Sequence, residues 1–138
     1  MDSARFVGLP WRDHGRELDG SDCWGLFKLV FEAGTGIEIA SFADDYSSSA
    51  DKREIAAIVD GEVSDWLPVA AGAEKPFDAA LMKIGSGFHV GIVVRRGLVL
   101  HMPLRGTSVI EPLSRFRTVL AAVEGVTGLY RHRELSGR

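Results

Sequence analysis

Cys23 is the only cysteine in this 138-residue chain, and two of its four histidines, His89 and His101, stand twelve residues apart. A thiol and an imidazole can share nucleophilic chemistry. The imidazole takes the proton of the thiol and later returns it to a leaving amine, while a third polar group orients the ring. Cys23 falls where a helix is predicted to begin. The free N–H groups and the positive end of the helix dipole there favour a thiolate and would hold an oxyanion. Taken singly, a cysteine more often packs as a small hydrophobe, and a histidine as a hydrogen-bonded core residue. The three are also legitimate zinc ligand types. However, no Cys-x-x-Cys or His-x-x-x-His pair accompanies them, and His14 and His132 lie in unconvincing contexts. Neither a metal nor a cofactor is expected.

Three elements must position these groups. A helix is expected from Asp22, capped by Ser21 or Asp22, with Leu26, Phe27, Leu29, Val30 and Ala33 as its apolar face and Gly34 and Gly36 as its end. Phe77–Ile84, Phe88–Arg95 and Leu98–Met102 read as short strands parted by Gly85–Gly87 and Gly97. A turn at Arg96–Gly97 would lay the strands of His89 and His101 side by side, with both rings on one sheet face.

Around this centre, the first twenty residues read as an ordered or semi-ordered loop and Ser41–Ala50 as a surface loop. Asp51–Asp65 reads as a second helix, with Ile55, Ile58, Val59, Val63 and Trp66 at helical spacing. Thr107–Ile110 is a further strand candidate, Leu113–Val123 is open between helix and strand, and Gly128–Arg133 reads as a last, edge strand. Helices first and strands afterwards predict an α+β fold in which an antiparallel sheet is backed by the first helix.

The bulk properties bound the rest. Length suits one domain, residues 1–138, and 46% hydrophobic with 25% charged residues is ordinary for a globular chain. A net charge of −3 gives no global reason to bind nucleic acid or an anionic membrane. With one cysteine there is no internal disulfide. No apolar run approaches a membrane span, and the charged N-terminus carries no signal-peptide core, so the chain is expected in the cytoplasm as synthesised.

The combined pattern resembles a family. Gly20-Ser21-Asp22-Cys23-Trp24-Gly25 is similar to the nucleophile motif of NlpC-type cysteine peptidases, and His89-Val90-Gly91-Ile92 is similar to their histidine strand. His101 matches the place of the third, orienting residue. Phe77-Asp78 to Met82 resembles the strand before the histidine, and Trp11 stands where many members have a Tyr. The resemblance runs from about Pro10 to Tyr130 and implies a papain-like fold with Cys23, His89 and His101 as a catalytic triad. It also implies hydrolysis of an amide in the stem peptide of bacterial peptidoglycan, with Trp11, Asp22 and Trp24 near the substrate. The Asp-Cys-Trp-Gly form and the Gly128-Leu129-Tyr130-Arg131-His132-Arg133 ending look most like the phage and prophage tail branch, which implies incorporation in a tail and tail-tip proteins as partners. A structural tail-assembly adaptor that keeps the fold is the alternative, and an acyltransferase or amidase would share the thiol–imidazole pair. Two departures stand out. Trp11 offers an indole N–H in place of a phenol hydroxyl, which leaves it a role in the groove wall. Trp24 fills a slot where some members bind a free amine through Ser.

Overall fold

The protein is described here from a computed structural model. It describes residues 2–39, 66–84, 87–115 and 128–136, and of 82–84 and 87–88 the backbone alone. The expected Ser41–Ala50 loop and Asp51–Asp65 helix lie outside the described residues, as does most of Leu113–Val123.

The first twenty residues hold short regular pieces within an ordered loop. A 3-10 turn spans Ala4–Phe6, and a small antiparallel hairpin pairs β1 (Arg16–Glu17) with β2 (Gly20–Ser21). Strands of two residues leave no periodicity for a sequence to display. β2 leads straight into α1 (Cys23–Thr35), whose buried stripe is Cys23, Trp24, Leu26, Phe27, Val30 and Phe31. The helix runs through Gly34 and ends at Gly36, which is left-handed at φ 74°. Gly34 serves packing instead: a Cβ there would stand 2.2 Å from the Phe77 ring.

Among the described residues, six strands make the main sheet: β3 (Trp66–Pro68), β4 (Ala79–Ile84), β5 (Gly87–Arg95), β6 (Leu98–His101), β7 (Val109–Pro112) and β8 (Leu129–His132). Their order is β3-β8-β4-β5-β6-β7, and every pairing is antiparallel. The β5–β6 hairpin turns at Arg96–Gly97 as expected, with Gly97 at φ 84°. Two expectations are corrected. Trp66 opens β3 instead of continuing a helical pattern, and β8 is an interior strand between β3 and β4. Arg131 on this interior strand is neutralised from within: its guanidinium donates to both carboxylate oxygens of buried Asp78, at 2.8 and 2.7 Å. His132 is buried too, edge-on to Trp66.

Alternation along the strands divides the core. Val90, Ile92, Val94 and Leu100 join the cluster under α1, while Val93, Val99, Ala80, Leu129 and Leu113 form a second one. The result is α+β, with α1 packed on an antiparallel sheet. Among the described residues no helix is long and apolar enough to cross a membrane.

Candidate active site

Asp22 fixes the helix start. Its carboxylate accepts from the Gly25 N–H at 2.8 Å, closing the first turn, and pairs with the Arg16 guanidinium at 2.8 Å. Gly25 has a steric reason to be glycine, because a Cβ there would meet the Gly15 carbonyl oxygen at 2.0 Å. The hairpin β1–β2 can therefore press against the helix start and deliver Arg16. The Asp-Cys-Trp-Gly motif thus carries its own scaffold, with the nucleophile candidate at the first helical position.

β5 outruns β6, and that difference makes room for Cys23. The last β5–β6 partner pair is Gly91 with His101. Val93 exchanges its backbone hydrogen bonds on the β4 side, donating to Asp78 and accepting from Phe77. By alternation the Val90 N–H faces the β6 side, just beyond the end of that strand. There it meets the Cys23 sulfur, which also takes the Trp24 N–H. The nucleophile candidate therefore sits against the residue that follows His89.

His89 and His101 are diagonal neighbours on one sheet face. His89 Nε2 and His101 Nδ1 lie 2.9 Å apart, with the ring planes nearly perpendicular at 85°. On the far side, His101 Nε2 lies 2.6 Å from Glu111 Oε2 on β7, and Arg115 pairs with the other carboxylate oxygen. The site is covered: Cys23, His89 and His101 are 5%, 4% and 3% exposed.

This burial reverses one expectation. The helix start was expected to favour a thiolate, yet burial, with the Asp22 carboxylate beside it, pushes the Cys23 thiol up to about 12. The N–H groups of Val90 and Trp24 and the Arg16 charge pull the other way and are outweighed. A neutral thiol is thus the resting form, and a thiolate needs a base to take its proton. Burial likewise holds the His101 ring below its ordinary 6.5, against the pull of Glu111.

The chain shares its architecture with a solved structure. The NlpC/p60 domain of the peptidoglycan hydrolase SagA matches over 83% of this chain and 86% of its own, with a TM-score of 0.54 and 19% identity. The fold is that of an NlpC/p60 domain. No family model and no curated protein matches the sequence.

On this NlpC/p60 fold, the other expected site residues fall in different settings. Trp11 is half-buried, packs on the core under α1, and bridges to Ser21, two residues before Cys23. The Asp22 carboxylate is wholly buried and committed to Gly25 and Arg16. The Trp24 ring lies in the core, stacked on Phe27 at 5.3 Å, so it would have to leave that packing to reach a ligand. Glu111 and Arg16 were not singled out in the sequence. Among the described residues no three His, Cys, Asp or Glu side chains are grouped to hold a metal ion. Two cavities of about 380 and 280 Å³ flank Phe77, at the other end of α1 from Cys23.

Proposed function

We propose that this protein is a cysteine peptidase that hydrolyses an amide bond in the stem peptide of bacterial peptidoglycan. One observation carries the reading: the Cys23 sulfur lies against the Val90 N–H, next to His89, whose ring is in turn 2.9 Å from His101. His89 removes the thiol proton as Cys23 attacks the carbonyl, so the charge pair forms only as the reaction proceeds. The N–H groups at the start of α1 face the oxygen that gains negative charge. His89 then protonates the leaving amine, and water hydrolyses the thioester. His101 orients His89, and Trp11 walls the substrate groove. The substrate class rests on the motif resemblance and on the peptidoglycan hydrolase that shares the fold. Service in a phage tail rests on the resemblance of the motif form and chain ending alone.

The test is mass spectrometry of muropeptides after incubation with the protein. Wild type should release cleaved stem peptides, and Cys23→Ala should be slower by at least about 1,000-fold. Equal release by both would remove Cys23 from the mechanism. A second reading, a structural adaptor on the same fold, draws on the near-complete covering of the three residues. It predicts no release by either protein.

A further inference from the structure

The hydrogen bonds running from the imidazole pair to β7 have a direction that a peptidase would use. A carboxylate only accepts, so with Glu111 ionised the proton shared across the 2.6 Å contact belongs to His101 Nε2. Arg115 pairs with the second oxygen of Glu111. A neutral His101 protonated on Nε2 has its lone pair on Nδ1. That nitrogen can only accept, and what lies 2.9 Å away is His89 Nε2, which must therefore donate. A neutral His89 protonated on Nε2 is bare at Nδ1. With Glu111 protonated or absent, both bonds could run the other way. His89 would then be bare at Nε2, facing His101, with its proton on the nitrogen that has to act as base.

We propose that Glu111 is a positioning residue that fixes the tautomers of both imidazoles through its bond to His101 Nε2, making Nδ1 of His89 the basic nitrogen. The inference rests on the peptidase reading for its consequence but not for its geometry. When the Cys23 S–H bond breaks, the proton goes to His89 Nδ1. The resulting imidazolium keeps its Nε2–H bond to His101, and the Glu111 charge stabilises it through that ring. β7 places the carboxylate for this role. Val109 is the register partner of His101, so Glu111, two residues on, projects on the same face one step along β6.

The experiment is two-bond proton–nitrogen correlation on histidine-¹⁵N-labelled protein at neutral pH, which separates protonated from bare ring nitrogens. In the wild type, His89 and His101 should both be protonated on Nε2. In Glu111→Ala, His101 should become a tautomer mixture, and kcat on a muropeptide should fall roughly 10- to 100-fold with KM within about twofold. Glu111→Gln should keep both tautomers, because its amide oxygen accepts the same bond, and should recover kcat to within about fivefold of wild type. Wild-type protein with the proton on His101 Nδ1, an alanine variant with unchanged tautomers, or a glutamine variant as slow as the alanine one would each overturn the proposal. If Glu111→Ala fails to fold, the wild-type and glutamine spectra still decide it. The tautomers are read without turnover, so protein that cleaves no muropeptide would count against the peptidase reading alone.

Discussion

Asp22 and Glu111 flank the same three residues, and each is paired with an arginine, yet their settings differ. Asp22 is wholly buried, and its contacts with the Gly25 N–H and Arg16 are structural. Glu111 is half-buried on an edge strand, and one of its oxygens meets an imidazole. A buried carboxylate at a helix cap holds the backbone in place. The same group on a sheet edge can set where a proton resides. One carboxylate therefore builds the site and the other tunes it, and substitutions should separate the two.

The largest effect expected on stability is at Asp22. Asp22→Ala removes a helix cap and leaves the Arg16 guanidinium, largely covered, without its carboxylate. Together these cost roughly 2–4 kcal/mol, a fall in Tm on the order of 5–15 °C, readable by thermal denaturation. Asp22→Asn keeps a capping oxygen and should lose less than half of that. Because the Asp22 charge helps hold the Cys23 thiol up, the asparagine variant should also ionise at lower pH than the wild type's value of about 12. Thiolate absorbance against pH measures this. An Asp22→Ala protein as stable as wild type would dissolve the contrast.

A smaller effect belongs to the tuned side. His101 is held below its ordinary 6.5 by burial. The unfolded chain therefore binds a proton that the folded ring resists, and stability rises with pH through that window. This contribution is full above about pH 6.5 and is lost as pH falls toward the folded value. The difference in Tm between pH 8 and pH 5 should shrink in His101→Gln. Equal differences in the two proteins would show that His101 does not carry it. Smallest of all is Arg115→Ala. The arginine is exposed, and a surface pair contributes about 0.5 kcal/mol or less, so kcat should change by less than about twofold. A loss as large as that of Glu111→Ala would mean that Arg115, not the hydrogen bond, controls the carboxylate.

What the sequence displayed and what it hid have physical causes. α1 was legible because an Asp cap, a helical apolar stripe and a left-handed Gly36 agree on one element. The β4–β5–β6 meander was legible from short apolar runs split by glycine, and Arg96–Gly97 announced the hairpin that brings His89 to His101. β8 was placed at an edge, and nothing local reveals that Asp78, fifty-three residues earlier, neutralises Arg131. Glu111 was missed because the long connection from His101 to Val109 leaves the register of β7 open. The expected strand, Thr107–Ile110, stopped one residue before the carboxylate. The thiolate expectation failed because a helix dipole is a local feature, whereas burial of Cys23 depends on where β6 ends.

In the proposed mechanism Cys23 attacks a peptidoglycan amide with His89 as its base. Intact-protein mass spectrometry after rapid acid quenching of a muropeptide reaction tests it most directly. The expected result is a mass increase equal to the acyl portion of the stem peptide, mapped to Cys23 and absent from His89→Ala. Muropeptide cleavage that proceeds at an unchanged rate in Cys23→Ala, with no adduct in the wild type, would contradict it.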